Sequence, residues 1–261
     1  MNNEYNSLLV EITEKVALVK LNNPESLNAL SADVKSDVAD FFKKAATDEN
    51  IKAIIITGEG RAFCAGGDLK ATPPTSVADG RNRIKKLHEL VRLIRDIEKP
   101  VIAAVNGFAV GAGMNFALAC DLIVASEDAK FSEIFVNVAM IPDAGGLYFL
   151  PLLVGPMRAK ELCFTGRRIG AEEAEKLGLV NKVVPPDRLI DEAMSLATSI
   201  ANGPTISIAY IKRLINKSSE IDFDTLLEAE AFAQGVCMKT EDAQEGVLAF
   251  KEKRNPVFQG K

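Results

Sequence analysis

The chain has 261 residues, with 31 Lys+Arg against 36 Asp+Glu for a formal net charge of −5, and is 48% hydrophobic and 26% charged. That is a globular mixture, long enough to bury a substantial core as one large domain or a domain plus an appendage. The negative balance argues against nucleic-acid binding through a basic surface. No apolar run approaches the ~18–20 uncharged residues of a membrane span. Met1 to Tyr5 is polar, without the charged-then-apolar layout of a signal peptide. Cys64, Cys120, Cys163 and Cys237 stand singly, which reads as buried thiols of a cytoplasmic protein; neither a disulfide framework nor a metal site is expected.

In chain order, Leu8 to Leu21 reads as two short strands around a polar Thr13-Glu14-Lys15 turn. Ser31 caps a predicted helix to about Ala46, with Val34, Val38, Phe41 and Phe42 at helical spacing. Apolar runs follow at Ile51–Thr57, Val101–Val105 and Leu122–Ala125. Their near-continuous β-rich character predicts parallel strands buried on both faces. Helical segments alternate with them, so the chain is α/β. After Pro185-Pro186 the helical signal is almost unbroken, at about 187–202, 205–217, 222–239 and 240–253. A division into a core over 1–200 and a helical region over 201–261 is expected, the latter free to pack on another subunit.

Several familiar chemistries lack their residues. His88 is the single histidine, with no G-x-S-x-G elbow, and H-E-x-x-H is missing. Phe116 occupies the third glycine position of a dinucleotide fingerprint. Two glycine-containing turns remain: Phe63-Cys64-Ala65-Gly66-Gly67-Asp68-Leu69, and Asn106-Gly107-Phe108-Ala109-Val110-Gly111-Ala112-Gly113-Met114, each after a predicted strand. Small residues there admit a ligand close to the backbone, and one N–H from each turn would make an oxyanion hole. Tight strand–helix packing explains either turn alone equally well.

These turns, with Lys99-Pro100 ahead of the Val101 strand, Cys120-Asp121, Ile141-Pro142-Asp143-Ala144-Gly145-Gly146, Leu162-Cys163-Phe164-Thr165-Gly166, Glu245 to Phe250 and Glu252-Lys253-Arg254, resemble the crotonase (enoyl-CoA hydratase/isomerase) superfamily over essentially the whole chain. The resemblance implies a ββα spiral core with two sheets and a helical C-terminal trimerisation region, giving homotrimers or hexamers. It implies an acyl-CoA thioester as substrate and no further cofactor. The oxyanion-hole amides match Gly67 and Ala112. Coenzyme A would lie along Ser26, Leu27, Ala29, Ala65, Gly66, Gly67, Asp68 and Leu69, with Phe250 and Lys253 lent across the trimer interface. For Phe250 and Lys253 an ordinary amphipathic helix is the plain alternative, and Asp68 is given no chemical role.

The two glutamates of the family's hydratases match Asn115 and Phe135, so both carboxylates are missing. Asn115 cannot take a proton near neutral pH. Glu133 is the nearest substitute; if the segment is extended it would sit one side-chain position from Phe135, roughly 6–7 Å away. Asp143 matches the aspartate of isomerases such as epoxyphenylacetyl-CoA isomerase, and a single carboxylate suffices to move a proton between two carbons of an enolised thioester. Burial beside Phe135 should raise its pKa. The competing reading is a turn or helix-capping aspartate. Met114, Asn115, Phe135 and Met140 would shape the acyl pocket, with the Thr72-Pro73-Pro74-Thr75-Ser76 loop over it. His88 matches a histidine of the 4-chlorobenzoyl-CoA dehalogenase branch, but Arg81, Lys85, His88, Arg92 and Arg95 also form a solvated basic stripe opposite Ile84, Leu87, Val91 and Ile94. Acyl-CoA isomerisation is therefore the expected reaction. The alternatives are hydration through another carboxylate, hydrolysis through Asp143 and His88, or a non-catalytic RNA-binding relative.

Overall fold

A computed structural model describes residues 5–68 and 72–261. The alternation of apolar strands and amphipathic helices builds two sheets. The chain opens with an antiparallel pair, β1 (Leu8–Thr13) and β2 (Val16–Leu21). Between them Glu14 and Lys15 take positive φ values of 50° and 65°. The helix α1 (Ala32–Thr47) follows, with Ser31 Oγ accepting the Val34 N–H at 3.3 Å, as its capping position requires. Then come β3 (Ala53–Gly58), β4 (Ala62–Cys64), α2 (Val77–Asp96), β5 (Val101–Val105), β6 (Phe108–Val110) and α3 (Ala112–Leu118). After β7 (Leu122–Ser126) and β8 (Lys130–Ser132) a short 3-10 helix, Ile134–Val138, leads to α4 (Gly146–Thr165), which kinks at Gly155-Pro156. β9 (Ile169–Gly170), α5 (Ala171–Lys176) and β10 (Lys182–Val184) close the α/β part.

The six-stranded sheet has the order β1-β2-β3-β5-β7-β10 and is parallel from β2 onward. Its central strands are covered on both faces, which is why they read as continuous apolar runs. On β3, Ile54 and Ile56 join the core shared with Val34, Val38, Phe41 and Phe42 of α1 and Leu90 and Ile94 of α2. The alternate residues Ala53 and Ile55 face Leu189, Ala193, Ala197 and Ala201 of α6 (Leu189–Ala201). The second sheet, β4-β6-β8-β9, has strands of two or three residues. Segments that short carry no readable periodicity, and the sequence pattern did not yield them.

The C-terminal helices α7 (Thr205–Lys217), α8 (Phe223–Cys237) and α9 (Glu241–Glu252) fall where the pattern placed them. No helix among the described residues is long and apolar enough to cross a membrane. On α2 the expected apolar face is shorter than its pattern, because Ile84 is 37% exposed while Leu87, Val91 and Ile94 are buried. The basic stripe is shorter too: Arg95 pairs with Glu220 at 2.6 Å and donates to the Tyr148 hydroxyl.

Asp121, in the Cys120-Asp121 pair, ties three segments together. Its carboxylate accepts the Val101 N–H at 2.7 Å and pairs at 2.7 Å with the buried Lys212 of α7. Lys212 also donates to the Ile94 and Lys99 carbonyls at 3.1 and 3.0 Å. Burial raises the Asp121 pKa despite the lysine beside it. The pair is thus a weak source of net stability but costly to break from one side. Replacing Lys212 with Met should destabilise the fold by about 3 kcal/mol, the low end for a stranded buried charge, measured by urea unfolding at neutral pH.

Candidate active site

The two glycine turns meet. Gly66 has φ +90°, and a Cβ there would lie 2.5 Å from the Val110 carbonyl oxygen and 3.2 Å from the Ala112 nitrogen. A Cβ on Gly113 would lie 2.0 Å from the Cys64 carbonyl oxygen. The 64–67 turn and the start of α3 are therefore pressed backbone to backbone, and only glycine fits at either point. Leu30 N donates to Gly66 O at 2.8 Å, in an isolated parallel bridge between Leu30 and Gly67. That pattern uses the amides on either side of Gly67 and leaves its own N–H off the ladder. A Cβ on Gly67 would point into open space, with nothing within 4 Å beyond its chain neighbours. Ala112 is the first residue of α3, where a backbone N–H has no partner within the helix. α3 itself is short, at seven residues.

The segment expected to border coenzyme A joins this turn. Ala65 N donates to Leu27 O at 2.9 Å, and Leu27 and Asn28 both have φ of 56°. Asn28, which sequence reasoning passed over, is fully buried, and its side chain bonds Asn23 N, Glu59 O and Ala62 O at 2.8–2.9 Å. It holds Ser26, Leu27 and Ala29 against the 62–66 strand and turn. An asparagine that tolerates the left-handed region was its one sequence signal. Leu69 lies outside the described residues. Thr72 to Ser76 are exposed and tied back to α2, with Thr75 N donating to Asp79 at 3.0 Å and Arg83 to the Thr72 carbonyl.

Glu133 and Phe135 diverge because β8 ends at Ser132 and the chain turns at Glu133 into the 3-10 helix. The Phe135 ring packs over Gly111, where a Cβ would lie 3.5 Å from it. Glu133 instead turns inward and is 1% exposed. Asn115, also fully buried, donates through Nδ2 to Glu133 Oε2 at 3.4 Å and to the Asp143 carbonyl at 3.0 Å. The helix cap of α4 is Gly145, with no side-chain bond to the helix end, so Asp143 does not serve as the capping residue.

Among the described residues, the buried side-chain polar atoms without a hydrogen-bond partner are three: Asn115 Oδ1, Glu133 Oε1 and Asp143 Oδ1. All lie in this one cluster. Unpaired buried polar atoms are costly and gather where a ligand or a reaction supplies the partner. Burial pushes the Asp143 carboxyl up to about 6, opposed by its backbone hydrogen bond and by Lys35. Burial pushes Glu133 up to about 8, with Asn115 opposing and the Asp143 charge adding.

The remaining expected residues are placed elsewhere. Met114 is 1% exposed and packs in the main core, while Met140 is 61% exposed on the loop before Asp143. His88 is exposed on α2, Phe250 on α9, and Lys253 at its left-handed C-cap. A cavity of about 550 Å³, lined by Leu118, Leu122, Phe149, Leu152, Ile211 and Lys212 among others, lies under α7 and shares no residue with the Gly67–Ala112–Asp143 group.

A family model described as "Enoyl-CoA hydratase/isomerase" matches residues 11–261. The chain belongs to the enoyl-CoA hydratase/isomerase family. It is 38% identical over 255 residues to a crotonyl-CoA hydratase of Syntrophomonas wolfei, covering 97% of this chain and 98% of that one. It is 37% identical over 258 residues to the 1,2-epoxyphenylacetyl-CoA isomerase of Escherichia coli, covering 97% and 98%. A solved enoyl-CoA hydratase of Bacillus anthracis superposes with a TM-score of 0.93 at 36% identity, over 98% of this chain and 100% of that one. The α/β fold of the crotonase superfamily and its helical C-terminal region are thus shared with these relatives.

Two outcomes test the site itself. Gly66→Ala should reduce turnover of an acyl-CoA substrate by about 10²-fold or more if the Gly67 and Ala112 amides form the expected oxyanion hole, since the added methyl would push the two turns apart, while gross secondary structure by circular dichroism is unchanged. Glu133 has a folded pKa above its unfolded one, so it costs stability increasingly as pH rises from 4.5 to about 8. Across that window the melting temperature of wild type should fall relative to Glu133→Gln.

Proposed function

We propose that this enzyme isomerises an acyl-CoA thioester through an enolate, with Asp143 as its single proton carrier. The observation that carries this reading is the half-buried Asp143 carboxyl with an unpartnered Oδ1, in a chain that has Asn115 and Phe135 where the two-carboxylate arrangement would need acids. A carboxylate drawn up to about 6 is ionised at neutral pH yet basic enough to take a carbon-bound proton.

In this scheme the thioester oxygen accepts the N–H groups of Gly67 and Ala112. The Asp143 carboxylate removes a proton from one carbon, and the electron pair of that C–H bond moves through the conjugated system onto the thioester oxygen. The resulting enolate is held by the two amides. Asp143, now a carboxylic acid, returns the proton to a different carbon, the C–O double bond re-forms, and the double bond has shifted with no net gain or loss of atoms. Opening of a strained ring by the same enolate is equally compatible. Phe135 over Gly111 keeps the proton-transfer region dry.

Coenzyme A would run along Ser26–Ala29 and Ala65–Asp68, with Phe250 and Lys253 supplied by a neighbouring subunit. Exposed apolar side chains on the C-terminal helices, among them Phe232 at 69%, Val247 at 56% and Phe250 at 86%, support a homotrimer or a hexamer made of two trimers. The exposure of His88 on α2 and the pairing of Arg95 weigh against the hydrolytic and RNA-binding alternatives. Hydration is favoured by one observation, a second carboxyl, that of Glu133, at Asn115, and by relatives such as the crotonyl-CoA hydratase.

The test follows a 3-enoyl-CoA and a 2-enoyl-CoA side by side with wild type and Asp143→Asn. The expected result is isomerisation of the 3-enoyl-CoA that falls at least ~10²-fold in Asp143→Asn with coenzyme A affinity nearly unchanged. Efficient hydration of the 2-enoyl-CoA, untouched by the substitution, would overturn it. In wild type, kcat/KM for isomerisation should rise with pH through about 6 as Asp143 ionises, and be lost below it.

A further inference from the structure

The proton shuttle described above leaves one buried carboxyl at the site without a role. Glu133 is 1% exposed, its Oε2 accepts from Asn115 Nδ2 at 3.4 Å, and its Oε1 has no partner. The groups that face it are Asn115 from α3, Asp143 from the loop ahead of α4 and Cys163 from α4, none of them a cation. Lys35 of α1 acts on Asp143 instead.

The Asn115 carboxamide it contacts is closely seated. The same Nδ2 donates to the Asp143 carbonyl at 3.0 Å, and that carbonyl also accepts the Gly146 N–H at 2.9 Å. A Cβ on Gly146 would lie 2.3 Å from Asn115 Nδ2, so the backbone at the start of α4, three residues after Asp143, lies directly over the carboxamide. Any movement of the carboxamide must therefore move the turn that carries Asp143.

Resting on the isomerase reading, we propose that Glu133 is a positioning residue: its neutral carboxyl anchors the Asn115 carboxamide, which holds the Asp143 backbone and so sets where the Asp143 carboxylate meets the substrate carbons. The neutral form is what a carboxyl buried among uncharged groups and another carboxylate adopts. Ionising it would place a second anion beside Asp143 in a water-poor pocket, where the repulsion displaces the loop and holds the shuttled proton on Asp143. A glutamine of the same shape, uncharged at every pH, would do the same anchoring through its carbonyl oxygen.

The experiment measures kcat and KM for a 3-enoyl-CoA against pH in wild type, Glu133→Gln, Glu133→Ala and Asp143→Asn. Wild-type kcat should fall above about pH 8, where Glu133 ionises. Glu133→Gln should keep most of the neutral-pH kcat and lose that alkaline fall. Glu133→Ala should lose about 10²-fold in kcat with little change in KM, the effect of a misplaced proton carrier. If the alanine variant does not fold, the wild-type and glutamine pH profiles decide the question. The proposal is overturned if Glu133→Gln is as inactive as Asp143→Asn, which would make Glu133 a proton donor in its own right. It is also overturned if the alkaline fall persists in Glu133→Gln, or if folded Glu133→Ala matches wild type. An active Asp143→Asn would instead sink the isomerase reading, whatever the Glu133 variants do.

Discussion

The close approach of two backbones, at Gly66 against Val110–Ala112 and at Gly113 against Cys64, is the constraint on which the site depends. A single methyl group at either glycine would overlap a carbonyl oxygen, at 2.5 Å in one case and 2.0 Å in the other. The contact brings the Gly67 and Ala112 amides, which come from turns after different strands, to one place. It also explains the second sheet. β4, β6 and β8 pair in parallel for only two or three residues, enough to fix the turns that leave them. Backbone donors held this way need no rearrangement as charge develops on a bound oxygen.

The electrostatics of the site follow from what stands beside that contact. Asn115 lies one turn into α3, beneath the loop that carries Asp143, and presents a carboxamide where an acid would add a charge. With Asn115 neutral and Glu133 drawn up to about 8, Asp143 is the one carboxyl of the three-residue cluster expected to ionise at neutral pH. Two carboxyls whose environments separate their proton affinities take different parts in the chemistry. Here the separation comes from burial, which is deeper for Glu133 than for Asp143.

The sequence made the long elements legible and the short ones obscure. β3, β5 and β7 are buried on both faces, so their residues read as uninterrupted apolar runs, and the capping serine of α1 stands at its helix start. The second sheet followed only from the family resemblance, because strands of two or three residues contain no period to detect. Of the site, the glycine turns and Asp143 were readable as motifs, but the inward turn of Glu133 was not. Its direction is set by where β8 stops pairing and the 3-10 helix begins, a tertiary event with no local signature. Asn28 was missed for a similar reason. Its role lies in three hydrogen bonds to backbone as far as 34 residues away, and sequence shows only an asparagine in a polar turn.

The same fold supports more than one reaction, so architecture alone does not choose between hydration and isomerisation. Hydration adds a water oxygen to one carbon and a proton to its neighbour, and so favours two acid–base groups on the substrate's two sides. Isomerisation takes a proton from one carbon and gives it to another, which one carboxyl does in sequence. The count of carboxyls that reach the substrate therefore discriminates between them. The divergence at Glu133 bears directly on that count. Had the chain stayed extended after β8, Glu133 and Phe135 would share a face and the carboxyl would border the same space as the ring. Because it turns, Phe135 faces Gly111 in the second glycine turn, while Glu133 meets the Asn115 carboxamide behind the Asp143 loop. In the isomerase reading proposed above, a carboxyl placed there would act on the substrate through Asn115 and Asp143, and the proton transfer itself would fall to Asp143.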